Sequence, residues 1–306
     1  MDRRQFIKSQ LSGAAALSLG AAGLLKPSAV FGAEFPDIVA VEGTPAAATR
    51  SAVKVLGGMG RFVKAGQSVL IKANMSFPRG PDSATTTHPE VVKELAVMCR
   101  ESGAAKVLVL DNPLAPSGQC LERAGIRDIC LALDKDMVRM VEKSQHFAKV
   151  DIPKGKAMRQ TEVMKEALSA DVLISAPVAK SHSSGGVSLS LKGMMGLIYN
   201  RGVMHWRYDL NTAIVDLNTI LRPALVIIDA TRVLSSGGPG GPGTIIKART
   251  IIASTDPVAA DAYTVASFEW YGQRYQPGQV PHILEAHQRG LGRLDVENMN
   301  VRRVTL

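Results

Sequence analysis

The densest chemistry in this chain lies in the run Ala176-Pro-Val-Ala-Lys-Ser-His-Ser-Ser-Gly-Gly-Val-Ser-Leu-Ser-Leu-Lys-Gly-Met-Met-Gly196. Lys180, His182 and Lys192 bring two ammonium groups and an imidazole into one short segment. Two converging cations suit a carboxylate or a phosphate. An imidazole beside them is held neutral and serves as base or ligand. These three residues are the catalytic candidates. Gly185 and Gly186 precede a helix predicted over Ser188–Ile198, whose start offers free N–H groups and a positive dipole end to an anion. On such a helix Ser188, Lys192 and Gly196 share a face.

Further polar residues gather at the carboxyl ends of predicted strands, where open α/β sheets bind ligands. Asn74, Ser76 and Arg79 follow one strand, and Asp111 and Asn112 follow the next. Asp229, Thr231 and Arg232 follow a third. The run Ser235-Ser-Gly-Gly-Pro-Gly-Gly-Pro-Gly243 provides Gly238, Gly240 and Gly241 as a backbone nest for a phosphate. It lacks the Gly-Lys-Ser/Thr ending of a P-loop. Asp256 caps the helix that begins at Pro257, and Asp261, one turn on, is expected to face the same cleft. The cofactor-binding candidates are therefore Asn74, Asp111, Gly185, Gly186, Asp229, Gly238, Gly240, Gly241, Asp256 and Asp261. No metal set is assigned. Cys99, Cys120 and Cys130 have no metal spacing and cannot make a four-cysteine iron–sulfur site.

The elements that must position these groups follow from hydrophobic periodicity. Short apolar runs at Ser68–Lys72, Lys106–Leu110, Asp171–Ser175, Ala224–Ile228 and Thr250–Ser254 read as strands buried on both faces. Val39–Val41 and Met299–Val304 add two more. Helices are predicted over Ala46–Leu56, His88–Ser102, Leu121–Leu133 (interrupted at Gly125), Glu162–Leu168, Leu210–Leu221, Pro257–Tyr271 and Val280–Arg289. Their alternation predicts an α/β fold: a largely parallel, Rossmann-like sheet flanked by helices.

Asp2-Arg-Arg-Gln-Phe-Ile-Lys8 is a twin-arginine export motif, followed by a weakly apolar region from Leu11 to Leu25 that is too short to span a bilayer. Residues 1–33 are expected to be a signal peptide, cut within 29–33. Residues 34–306 then form a single α/β domain in the periplasm, with the twin-arginine translocase as a partner and no stable membrane span after cleavage. The signal carries Arg3, Arg4, Lys8 and Lys26 against Asp2, so the +9 of the whole chain less +3 leaves +6. A basic surface or an anionic ligand explains that charge. With 5% aromatic residues and no run of three or more consecutive cations, nucleic acid is not an expected partner.

The segments Val69-Leu-Ile-Lys-Ala-Asn74, Thr87-His-Pro-Glu-Val-Val92, Ala170 to His182, Gly186 to Gly196, the glycine loop and Ala253-Ser-Thr-Asp-Pro-Val-Ala-Ala-Asp261 resemble the family called domain of unknown function 362. Ala73 stands where that family commonly has Pro, and Gly193 where it commonly has Asn. The resemblance implies the fold and the cleft. Some relatives carry a ferredoxin module that this chain lacks, which implies that any iron–sulfur chemistry belongs to a redox partner protein. More distantly, lactate racemase is similar in having a His and a Lys ten residues apart around a Gly pair, here His182 and Lys192. That likeness implies His182 as proton acceptor and Lys180 or Lys192 as the anion site. Two readings stay open: a cofactor- or metal-dependent oxidoreductase or isomerase, and a non-catalytic periplasmic binding or accessory protein serving an iron–sulfur or redox complex. The cofactor itself is not identified by the sequence.

Overall fold

Burial on both faces decides the centre of the molecule. In a computed structural model that describes residues 35–306, the apolar runs become neighbouring strands of one sheet; the export signal read at residues 1–33 lies outside the described residues. In chain order the strands are β1 (Ile38–Glu42), β2 (Ser68–Ala73), β3 (Lys106–Asp111), β4 (Val138–Met140), β5 (Phe147–Asp151), β6 (Gln160–Met164), β7 (Val172–Ala176), β8 (Val178–His182), β9 (Gly186–Ser188), β10 (Leu225–Leu234), β11 (Ile245–Ile246), β12 (Thr250–Ser254), β13 (Glu269–Trp270), β14 (Gln273–Arg274) and β15 (Val301–Thr305). The main sheet runs β15-β1-β12-β10-β7-β2-β3-β4, with β8 and β11 paired to β10 and β9 paired to β8. Every neighbouring pair on that path is parallel except the two made by β12, which alone runs against the rest.

Alternate residues of each strand feed opposite faces. Val69 and Ile71 of β2, with Val107 and Val109 of β3, pack under the helices Pro45–Val55, Pro89–Glu101 and Ile126–Cys130. Leu70, Leu108 and Leu173 point the other way, toward the helices Leu210–Asn218, Pro257–Ser267 and Pro281–Gln288. Each such aliphatic side chain contributes ~1.5–3 kcal/mol by leaving water, so truncating Ile71 to Ala costs roughly 2–5 kcal/mol. The fold is thus mixed α/β, with a mostly parallel sheet between helices.

The strand order places a switch point at the centre. From β2 the chain moves outward to β3 and β4; it then returns to β7 on the other side of β2 and continues to β10. Connections leaving β2 and β7 diverge, and their carboxyl ends frame a crevice.

Several expected elements differ. Glu162 to Met164 is strand, because β6 pairs antiparallel with β5, and only Lys165–Ser169 is helical. The helix expected over Ser188–Ile198 is instead the end of β9, one helical turn (Ser190–Gly193) and a 3-10 turn (Met194–Leu197). The helix beginning at Pro257 stops at Ser267 and gives way to β13. β10 runs on through Leu234, so Asp229 lies within a strand rather than at its end.

Candidate functional site

Beyond Pro177, β8 continues the line of β7 alongside the second half of β10, and β9 folds back on it with Lys180 opposite Ser188 and His182 opposite Gly186. The pleat puts Lys180 and His182 on one face, together with Ser188 across the ladder. Ser181 points to the other face, where its hydroxyl accepts the Gly238 N–H at 3.0 Å. Gly186, at φ +72°, makes the hairpin turn. Gly185 and Gly186 therefore belong to a β-turn, and the helix start expected beside them is elsewhere. It is also filled: both oxygens of buried Asp261 accept the N–H groups of Ser190 and Leu191, at 2.8 and 2.9 Å. Burial pushes this carboxyl up to about 8 against the pull of those two donors.

The crevice between the ends of β2 and β7 holds a cavity of about 100 Å³, room for a few waters at ~30 Å³ each. Lys72, Lys180, Lys192 and Arg201 line it, with Asn74, Ser76, His182, Ser188 and His205 between them and Phe77 and Pro239 beside them. The carboxylate that answers these cations is Asp111. Its Oδ1 lies 3.1 Å from Lys72 Nζ, and its Oδ2 accepts the Met75 N–H at 2.8 Å and the Ser76 hydroxyl at 2.7 Å. Gly196 makes this pair possible, since a Cβ there would fall on Asp111 Oδ1 and on the end of Lys72. Arg201 donates to Ser76 Oγ at 3.2 Å and to the Asn112 carbonyl. Asn112 in turn donates to the carbonyls of Ile198 and Tyr199, both at 2.8 Å, and so ties the segment carrying Arg201 to the end of β3.

Lys180 and Lys192 form no ion pair among the described residues. Lys180 Nζ donates to the Thr85 carbonyl at 2.8 Å and sits 5.2 Å from the centre of the Phe77 ring. Lys192 Nζ meets the Met195 sulfur at 3.3 Å, a weak acceptor. A buried ammonium without a carboxylate is costly, and the group gives up its proton more readily. Burial accordingly lowers Lys180 to about 7, with Lys72, Arg201 and Lys192 adding to the effect and Asp111 opposing it. Lys192 is also pushed down to about 7, by burial and then by Arg201. His182 falls to about 3, first through burial and then through Lys192 and its stacked neighbour His205, 5.8 Å away. His182 Nδ1 accepts the Ser184 N–H at 3.1 Å, so the neutral ring carries its proton on Nε2 and acts as a donor.

A model of the family described as domain of unknown function (DUF362) matches residues 69–266. The chain belongs to the DUF362 family. A thylakoid-associated protein of Synechocystis sp. is 28% identical over 229 residues, covering 72% of this chain and 68% of that protein. The lactate racemase apoprotein of Thermoanaerobacterium thermosaccharolyticum is similar in structure with a TM-score of 0.41 and 13% identity, over 62% of this chain and 50% of that one. A Thermotoga maritima protein gives 0.41 and 14%, over 61% and 51%. The chain spans about half the length of these two solved structures.

Of the candidates read from the sequence of this DUF362 protein, Asn74, Lys180, His182 and Lys192 line the cavity. Asp111 braces it from behind through Lys72. Gly185 lies under the Lys192 stem, and Gly238 packs on Ser181 where no Cβ fits. Asp229 does not reach the cavity. It pairs with Arg232 at 2.6 Å and accepts the His88 N–H at 2.8 Å, which makes it a knot between β10 and the Pro89–Glu101 helix. Gly240 and Gly241 line a separate, outer basin. Asp256 is a helix cap only: it accepts from Val258, Ala259 and Arg293 at the end of β12. Because β12 is the reversed strand, that end lies on the opposite edge of the sheet. Asp261 is likewise a cap and not a cleft ligand.

Lys72 and Arg201 are the residues sequence reasoning passed over. A lysine ending a continuously apolar strand was a signal for Lys72; Arg201 lies in a segment without motif or periodicity. Cys99, Cys120 and Cys130 are buried and unpaired, and burial raises all three thiols, Cys99 to about 12 and Cys130 to about 11. Among the described residues no three His, Cys, Asp or Glu side chains converge on a metal position, and no helix is long and apolar enough to cross a membrane.

Proposed function

We propose that this DUF362 protein is an anion-binding enzyme whose cleft takes a carboxylate or phosphate group of a small metabolite, as an isomerase or oxidoreductase would. The observation that carries the reading is the imbalance of the cleft: four cationic side chains against the single carboxylate of Asp111. A bound oxyanion supplies the missing charge between Lys180 and Lys192. The His182 Nε2–H donates to a developing negative oxygen, a role open to a neutral imidazole. Lys192, held by a thioether alone, takes up its proton as the anion binds and pairs with it as an ammonium. This assigns His182 as hydrogen-bond donor and the two lysines as the counter-charges of the anion.

The twin-arginine motif at Arg3-Arg4 supports export to the periplasm through the twin-arginine translocase, with residues 34–306 as a single mature domain. The thylakoid association of the Synechocystis relative supports a place close to a membrane, and a redox partner protein there fits the same reading.

The test is a thermal-shift and turnover screen of small carboxylates and phosphates on the purified protein. Binding anions are expected to raise Tm in the wild type. Lys180→Met and Lys192→Met are each expected to weaken binding by roughly tenfold to a hundredfold, and His182→Ala to remove turnover. An unshifted Tm with every oxyanion contradicts the proposal. Binding without turnover of any ligand favours a periplasmic binding or accessory protein instead.

A further inference from the structure

The inner cavity admits little more than one oxyanion group, so the rest of any metabolite must extend beyond it. Two of its walls continue outward. Phe77 lines the inner cavity and also an open basin of about 730 Å³. The glycine loop does the same, with Pro239 inside and Gly240 and Gly241 outside. Gly240 packs against the Phe77 ring so closely that a Cβ there would stand 3.1 Å from it. The loop and the ring are thus in contact and form the rim shared by the two spaces. The basin is completed by Arg79 and Arg123, neither of which forms an ion pair among the described residues, and by Asp82 as its single acid. Guanidinium groups bind phosphate by paired, charge-assisted hydrogen bonds.

We propose that the basin is a second anion subsite and that the ligand is an extended metabolite with an anionic group at each end. The inner group, a carboxylate, sits among Lys72, Lys180, Lys192 and Arg201. The outer group, a phosphate, is held by Arg79 and Arg123, and the connecting atoms pass over the Phe77 ring. This rests on the anion-binding reading of the cleft and adds the class of ligand. It also gives a use to the glycine loop, whose side-chain-free backbone lets the basin come up to Phe77.

The experiment is a calorimetric titration of the full chain with acetate, inorganic phosphate, phosphoglycolate and longer homologues of phosphoglycolate. The same series is run on the Arg79→Ala/Arg123→Ala double variant; both side chains are exposed, so its folding is not at risk. One phosphocarboxylate is expected to bind the wild type at least about tenfold more tightly than acetate. The double variant should lose that advantage and keep its acetate affinity. Equal affinities for acetate and every phosphocarboxylate, or an advantage that survives in the double variant, would overturn the second subsite and leave the inner site standing. If no anion binds the wild type, the anion-binding reading itself fails.

Discussion

Lys180 and Lys192 are the centre of the account, because two buried ammonium groups without carboxylates leave a protein either less stable or ready for a ligand. Both titrate at about 7 in the folded chain and near 10.5 when unfolded. Between those values these two groups hold more protons in the unfolded chain, so their contribution to the stability of the ligand-free protein should rise with pH from about 7, opposed above about pH 9 by the three thiols that burial raises. In the Lys180→Met/Lys192→Met double variant their share of that rise should be lost, leaving the share of Lys72, which burial also lowers, as denaturant titrations across the pH series would show. Ligand affinity runs the other way: it should be flat below about pH 7 and fall above it, as the amines lose their charge. Gly196 gives a second check. Its replacement by Ala should drive Lys72 from Asp111, lower stability by ~3–5 kcal/mol through an unpaired buried charge, and weaken anion binding with it. A variant of wild-type stability and affinity would show that the pair is dispensable. Much of this residue-scale picture was legible: Asn74, Lys180, His182 and Lys192 were found by their polar types beside apolar strands. Arg201 was not, because it reaches the cleft through the fold of a loop whose own sequence has no pattern.

Elements decide which of the other candidates could ever join the cleft. Asp229, Asp256 and Asp261 look alike in the sequence, as acids near strand ends or helix starts. Strand length and direction separate them: β10 runs past Asp229, β12 is reversed and carries Asp256 to the far edge, and Asp261 is consumed in capping the turn at Ser190. The sheet is largely parallel as its pattern predicts, but no apolar run announces the direction of its strand, so which member runs antiparallel, β12, was not legible. The β8–β9 hairpin was hidden for a different reason. Its Lys, Ser, His and Gly residues show no apolar alternation, although β8 itself is wholly buried. Paired substitutions should separate these roles. Asp256→Ala is expected to cost ~1 kcal/mol as a lost cap and to leave anion affinity unchanged. Asp261→Ala orphans two buried backbone donors at ~1–3 kcal/mol each, and it should weaken anion binding too, because the turn it holds carries Lys192. Equal effects of the two on affinity would show that the cleft does not depend on that turn.

At the scale of the whole molecule, the mostly parallel sheet puts the ends of β2 and β7 on one edge and makes their divergence the natural place for a ligand. This much followed from the hydrophobic pattern alone, since short β-branched runs alternating with amphipathic helices leave few other architectures. Replacing Arg3 and Arg4 by Lys is expected to leave the protein in the cytoplasm with its fold intact, as cell fractionation would report; unchanged export would remove the twin-arginine route. The central claim, that the cleft is an oxyanion site short of negative charge, is tested most directly by calorimetry. The full chain is titrated near pH 8 with a binding carboxylate or phosphate in buffers of differing ionisation enthalpy. The account predicts binding accompanied by uptake of about one to two protons per anion, as Lys180 and Lys192 recharge. Binding with no proton uptake, or no binding at all, would contradict it.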